Sequence, residues 1–505
     1  MTVRLSKSKL LAFLQCPKRL WLEVHKPELR DVADGIDGRI QDGNEVGAIA
    51  RELYDPARRG TLIDAQAGDF NQALERCRVQ MTSNTPIFEA GFATTDAIAF
   101  ADIMLPIGDV QPQAWRMVEV KSATGVKAYY LDDAAIQFHV ARSAGVPVRS
   151  IAVAHIDSSW VYPGGGDYNG LLTEVDVTQE ANDRAADVSS WITDAVKIAA
   201  LNKEPSKTTG AHCSQPFDCS FRTYCASQEP QANHPVSWLP RLQRKATKEF
   251  IETKSITEMC DVPDEYLTDI QKRVKAHTIS GETYFDAQGA AKALATYALP
   301  GYFLDFESTN LAVPIWKGAR PYQQVPFQFS LHRLLANGTL DHIEFQDLTG
   351  NDPMLPFAQA LISSCGTHGP IFVYSRAFEA TRIRELADHH PAQRNALLAL
   401  NERLVDLLPV VANHFYHPSQ EGSWSIKKVL PAVAPDLDYA RLDGVKDGRM
   451  AMAAFQEAIR PSTTTARKEE IRQQLSAYCR LDTFAMVRLW QFLAGRMDLK
   501  LEDHH

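Results

Sequence analysis

No apolar run in the 505 residues approaches the roughly 20 that a membrane-spanning helix needs, which sets aside channels and transporters built on such helices. The opening stretch MTVRLSKSKLLAFLQC has only a short apolar segment and no small-residue cleavage site. No signal peptide is therefore expected, and the cytoplasm is the expected compartment. Positive charge is not in excess either: 53 Lys and Arg face 62 Asp and Glu, a net of −9. That balance argues against a non-specific coat on nucleic acid, but not against local basic patches beside clustered carboxylates. No internal repeat or low-complexity tract is evident, so a solenoid is not expected. Cysteine is sparse, eight in the chain, and without secretion a disulfide framework is not expected.

What is present is ordinary for a globular protein: 45% hydrophobic and 23% charged residues. The length predicts two to four domains, at roughly 100–200 residues each. Residues 1–230 mix helix and strand patterns, ending in the polar, proline-containing SQEPQANHP. Residues 231–297 read as a helical connector, and residues 298–505 return to strands at ALPGYFLDFES. In the first segment the patterns predict helices over 8–24 and 41–54, with strands at 87–92, 97–105, 115–122 and 149–156. A helix at about 131–144 lies between the last two strands. The last segment predicts strands at 302–307, 324–332 and 341–346, helix 354–364, strand 370–374 and a long helix at 466–494. Strand–helix–strand order predicts an α/β fold.

The sharpest local signal in the first segment is WRMVEVKSATGVK. Side chains alternate along a strand, so Glu119 and Lys121 share a face while Val118 and Val120 point into a core. Alone, such a pair reads as a surface ion pair. Asp102, however, interrupts the apolar strand AIAFADIML, and a buried acid needs a partner or a metal. An Asp, a Glu and a backbone carbonyl form a hard oxygen site suited to Mg²⁺ or Mn²⁺. These residues resemble the PD-(D/E)xK nucleases, specifically their RecB-like branch, over about residues 1–228. The helix YYLDDAAIQFHVARSAGV adds to the resemblance, with Gln137 at the position of the family's glutamine and Tyr129 and Tyr130 near its start. The resemblance implies a restriction-endonuclease-like domain in which Asp102 and Glu119 hold metal and Lys121 and Gln137 serve catalysis. Two positions depart from it. Asp102 follows Ala101, not proline. Helix 41–54 lacks the family's histidine, and Glu45 takes its place as a metal ligand. Glu89 is a weaker candidate on the preceding strand.

Three cysteines crowd into HCSQPFDCSFRTYC: Cys213, Cys219 and Cys225. Ordinary buried thiols describe Cys77, Cys260, Cys365 and Cys479, but not three so close together. An iron–sulfur cluster needs four thiolates, and Cys16 in FLQCPKRLWLE supplies a fourth. The set resembles RecB-like nucleases, among them CRISPR-associated adaptation nucleases and helicase-linked repair nucleases, in which one N-terminal and three C-terminal cysteines hold a 4Fe–4S cluster that staples the domain ends. The spacing departs from that family, since each gap here is five residues. Zinc, with His212 as a further ligand, is the alternative.

The last segment holds a second constellation. In GYFLDFEST, Asp305 and Glu307 emerge together from an apolar strand, and two like charges so close need a cation. In LSAYCRLDTFAMVRLW, Tyr478 and Asp482 lie four apart on one helix face. Strand DxE with helix YxxxD resembles the Tyr-containing DEDD exonucleases of the RNase H-like fold, over about 298–494. The resemblance implies two metals about 4 Å apart held by Asp305, Glu307 and Asp482, with Tyr478 orienting or deprotonating the water. By motif order Glu379 is the fourth acid, where the family has Asp. Asp406 is its rival, retained as a supporting residue. Ser425 and Lys427, in SWSIKKVLPAV, would contact phosphate.

The connector carries two basic patches: Arg241, Arg244, Lys245 and Lys248, then Lys272, Arg273 and Lys275. It weakly resembles helix–hairpin modules that grip a nucleic-acid backbone; a helical spacer is the other reading. The whole chain resembles bacterial proteins fusing a RecB-like nuclease to a DEDD-like domain. That implies a metal-dependent nuclease on DNA or RNA, with helicase, repair or defence partners. The alternative is a binding scaffold whose sites are inactive.

Overall fold

The computed structural model describes residues 4–31, 36–63, 70–108 and 114–504, without the side chains of 36–40 and 502–504. The chain divides into two compact units. The first is Met1–Pro230 with Leu311–Gln323; the second is Gln231–Asn310 with Gln324–His505. Both are mixed α/β, each built on a mixed sheet.

In the first unit the strands run in the order Thr61–Leu62, Ile87–Ala93, Ala97–Ile107, Ala114–Lys121, Val148–Ile156 and Leu172–Asp176, and Leu5–Ser6 pairs in parallel with Ala97–Ile98. The middle three are antiparallel, and Ala114–Lys121 then pairs in parallel with Val148–Ile156. A parallel pair needs a crossover, supplied by helix Ala128–Ser143, whose Ala134, Ala135, Ile136, Phe138 and Val140 pack into the main core. The expected single helix over 8–24 is two, Lys7–Gln15 and Pro17–His25. Pro17 disfavours helical backbone at the residue before it, and Cys16 is extended, with φ −165° and ψ 121°.

The second sheet runs Leu404–Asp406, Ile371–Val373, Gly301–Thr309, Val325–Leu334, Thr339–Gln346, Glu502–His504. Gly301–Thr309 is therefore interior, antiparallel to Val325–Leu334 on one side and parallel to Ile371–Val373 on the other. The long helix Thr465–Leu493 brings Met486, Val487, Leu489 and Trp490 into one core with Phe303 and Phe372. The expected connector is not a free spacer but part of this unit. Its Leu239, Met259, Val262, Leu267 and Val274 pack with Tyr416, and its Tyr284–Phe285 strand pairs with Phe415–Tyr416. Among the described residues no helix is long and apolar enough to cross a membrane.

Candidate active sites

In the first unit, strand alternation puts Glu119 and Lys121 on one face, and antiparallel pairing brings Asp102 beside them. The Val120 amide donates to Asp102 Oδ2 at 2.7 Å. With Glu89, Arg51, Gly43 and Gly47 these residues line a cavity of about 710 Å³. Glu119 is 1% exposed. Burial alone would raise its pKa, but Lys121 and Lys7 outweigh it and hold the carboxylate well below its ordinary range. Asp102 goes the other way: burial, then the charge of Glu119, push it up to about 8. Lys121 bonds Glu119 Oε1 at 2.6 Å and Asp133 Oδ2 at 2.5 Å, and its ammonium lies 5.3 Å from the Tyr130 ring centroid. Glu119 Oε2 is buried with no hydrogen-bond partner. An orphaned carboxylate oxygen beside an acid held protonated fits a bound cation, which would satisfy both.

Gln137 is fully buried and donates to Asp133 Oδ1 at 3.4 Å, its own Oε1 unpartnered. It therefore supports the carboxylate that holds Lys121. Glu89 lines the cavity from a left-handed backbone, φ 55°, a conformation costing about 1–2 kcal/mol. Burial and Glu119 raise its pKa.

Glu45 is not brought to this site. Helix Ile36–Tyr54 turns Gly43, Gly47 and Arg51, spaced by four, toward the cavity, so a residue two positions from Gly43 points away. Glu45 is exposed and accepts from Gln41 at 2.8 Å. Glu45→Ala is accordingly expected to leave metal affinity and cleavage unchanged, and to shift stability by less than about 0.5 kcal/mol, as read by metal titration and thermal melting.

Cys16, Cys213, Cys219 and Cys225 line one small enclosed void. The break at Pro17 turns Cys16 inward, and Gln15 ties the distant loop down by donating to His212 O at 2.8 Å and Phe217 O at 2.6 Å. Burial pushes the Cys225 thiol up to about 11 and raises Cys219 as well. The four thiols fit a bound group that would stabilise them as thiolates. No three of them lie within 4.8 Å of one another. His212 lines the same void, with its Nε2 3.6 Å from Cys213 Sγ.

In the second unit, Asp305 and Glu307 project from their interior strand toward Tyr478 and Asp482 on the long helix. With Lys427, Phe378 and Gly448 they line a cavity of about 350 Å³. Asp305, Glu307 and the Cys479 thiol lie within 4.8 Å of one another. Burial and then the neighbouring carboxylates raise Asp305 far above its ordinary value and Glu307 to about 8, and burial raises Asp482 to about 6 against the hydrogen bond from Tyr439. The Cys479 thiol is also raised by burial and by these carboxylates, and as a soft ligand it is not expected to compete for a hard cation. Three acids that resist ionisation together fit a divalent cation or a pair of them. Burial and Asp482, Glu307 and Asp305 keep Tyr478 a phenol in the metal-free protein, where it can donate a hydrogen bond to a water.

Glu379 is 2% exposed, its Oε2 has no partner, and its charge acts on Asp305. Asp406 is committed elsewhere. Oδ1 accepts from the Ser375 and Leu408 amides at 3.0 and 2.9 Å, and Oδ2 from the Arg376 amide at 3.0 Å. It therefore holds the left-handed turn at Ser375, φ 73°, that starts the helix carrying Glu379. Asp406→Ala should cost about 2 kcal/mol of stability, the loss of a cap and its turn, measured by denaturant melting. Lys427 reaches the site, 3.2 Å from Tyr478 Oη, whereas Ser425 is exposed at the start of its helix and does not line the cavity. Arg273 and Lys275 are spent on backbone carbonyls at Ala412, Asn413 and Val262, while Arg241, Arg244, Lys245 and Lys248 are exposed.

Three neighbours escaped the sequence reading: Lys7, Asp133 and Tyr439. Tyr439 donates to Asp482 Oδ1 at 2.5 Å. Only the polar character of Asp133 within the buried run of its helix gave a local signal.

The profile of a family described as a domain of unknown function (DUF2779) matches residues 302–425. The match covers less than half of the chain. It spans Asp305, Glu307, Glu379, Asp406 and Ser425, and ends before Lys427, Tyr478 and Asp482. No curated protein sequence matches the chain.

Proposed function

We propose that this protein is a metal-dependent nuclease that hydrolyses phosphodiester bonds of DNA, with RNA as the other candidate substrate, at two centres. The first would be a PD-(D/E)xK-type centre on a restriction-endonuclease-like domain, the second a DEDD-type exonuclease centre on an RNase H-like domain. The observation that carries the reading is the crowding of Asp305, Glu307 and Asp482, all with raised pKa values and with Lys427 the cation acting on two of them. Such a cluster is costly unless divalent cations neutralise it.

A bound Mg²⁺ or Mn²⁺ supplies Lewis acidity toward a phosphate oxygen and a more acidic water. The chain's own groups do the rest. Asp305, Glu307 and Asp482 would hold the ion, and Tyr439 fixes Asp482 through its hydroxyl. Lys427, between Tyr478 and the Lys446 carbonyl, offers positive charge to a phosphate oxygen. In the first centre Asp102 and Glu119 would hold the ion, and Lys121 would stabilise charge developing on phosphate. The four cysteines would hold a 4Fe–4S cluster that fastens the Cys16 turn to the Cys213–Cys225 loop. Protein purified without oxygen is then expected to carry about four irons per chain, and Cys16→Ala to lose them and lower the melting temperature. Zinc without iron in the purified protein would contradict the cluster.

One observation favours a binding scaffold instead: Glu119 Oε1 already receives two lysines. Lys121→Ala separates the readings. A nuclease loses one Mn²⁺-dependent cleavage activity, whereas a scaffold shows none to lose.

A further inference from the structure

The first centre holds two partly buried ammonium groups, of which Lys121 alone has been given a role in cleavage. Lys7 Nζ lies 2.9 Å from Glu119 Oε1 and 3.1 Å from Asp133 Oδ1. Lys121 Nζ lies 2.6 Å from the same Glu119 oxygen and 2.5 Å from Asp133 Oδ2. The four groups close a ring of alternating charge. Lys121 reaches it from two residues beyond Glu119 on the same strand. Lys7 comes from 112 residues away, at the first position of the first helix.

That position is held firmly. Leu5–Ser6 pairs with Ala97–Ile98, Leu5 and Leu10 are fully buried, and the Ser6 side chain caps the helix by accepting from the Lys9 amide at 3.4 Å. The Lys7 side chain is only 23% exposed. Lysine is strongly hydrated and flexible, so confining its ammonium costs desolvation and rotamer entropy. The ring offsets that cost, and it also sets what remains of Lys121. An ammonium has three donors, and Glu119 and Asp133 take two from Lys121. With Lys7 gone, both carboxylates would depend on Lys121 alone and would draw it in more tightly.

We infer that Lys7 is a positioning residue of the first centre, neutralising Glu119 and Asp133 together with Lys121 so that the two carboxylates do not pull Lys121 away from the scissile phosphate. The inference rests on the nuclease reading of this centre. Lys7 also repels a cation, so its removal does not weaken metal binding; the loss appears in turnover.

The test uses the full chain in an Asp305→Asn, Asp482→Asn background, so that the second centre is silent. Mn²⁺ binding is followed by electron paramagnetic resonance and cleavage of single-stranded DNA by steady-state kinetics. Lys7→Met is expected to lower kcat at saturating Mn²⁺ by about 10–100-fold, the usual cost of losing a partner behind an active-site group, with KM for DNA within about threefold and Mn²⁺ affinity no weaker. Lys7→Arg, which can bridge both carboxylates, should recover most of the rate. Unchanged kcat in Lys7→Met overturns the inference. So does a fall in Mn²⁺ affinity in step with kcat, which marks general loosening. If Lys7→Met does not fold, Lys7→Arg decides, a loss as deep as that of Lys121→Ala overturning the inference. Lys121→Ala in the same background reports on the underlying reading: if cleavage survives it, the nuclease reading fails whatever Lys7 does.

Discussion

Asp305→Asn is expected to lower the rate of cleavage at the second centre by about 10³-fold or more, corresponding to about 4 kcal/mol of lost transition-state stabilisation. The substitution keeps the shape of the side chain but removes the charge at the centre of the cluster. Burial, Asp482, Glu307 and Glu379 all force Asp305 to stay protonated in the metal-free fold, so an amide removes that cost of folding while weakening the hold on a cation. Stability and activity should therefore move in opposite directions. Without added metal the variant is expected to melt at a higher temperature than the wild type while binding Mn²⁺ more weakly. Loss of both together would mean that Asp305 is a structural residue.

The second large effect is a pH-dependent response to metal. Burial and Asp482 hold Glu307 up to about 8, from an ordinary 4.5, and burial holds Asp482 up to about 6, from 3.8. The unfolded chain ionises these groups at their ordinary values, so between those values and the raised ones the folded protein binds more protons. Their contribution to stability is then fully present below the ordinary pKa values. It is lost as pH rises through about 6 and then about 8. A divalent cation needs the carboxylates ionised, so it binds more tightly, and releases fewer protons on binding, as pH rises. Calorimetric melting with Mn²⁺ or with a chelator is expected to show a larger metal-induced rise in Tm near pH ~8 than near pH ~5.5. Asp305→Asn should flatten that dependence. An equal rise at both values would remove the carboxylate cluster as the metal site.

The two strand-borne constellations were legible because strand periodicity is local. Glu119 and Lys121, like Asp305 and Glu307, announce a shared face by alternating with apolar residues, and Tyr478 with Asp482 does the same at helical spacing. The mixed α/β class followed from where those runs fell, whereas the order of strands within each sheet did not. The apolar pattern of 8–24 continues across Pro17 as if through one helix, although the proline itself marks the break between two. Glu45 was placed by analogy of position rather than by helical phase, and phase decides which side chain faces the cavity. Motif order puts Glu379 ahead of Asp406, whereas what occupies Asp406 in the fold, three backbone amides at Ser375, Arg376 and Leu408, leaves no mark in the sequence. Lys7 and Tyr439 left no local trace. Each acts on a carboxylate far along the chain, 112 and 43 residues away, and only the folded backbone brings them there.

On the proposed reading, two metal centres on separate units cut nucleic acid. That reading is tested most directly with end-labelled single- and double-stranded DNA and RNA, incubated with Mn²⁺ and wild type, Lys121→Ala, Asp305→Asn or the double variant. Each single variant should remove one part of the wild-type product pattern, and the double variant should leave every substrate intact. Cleavage by the double variant that equals the wild type, or no cleavage by the wild type at all, would contradict the account.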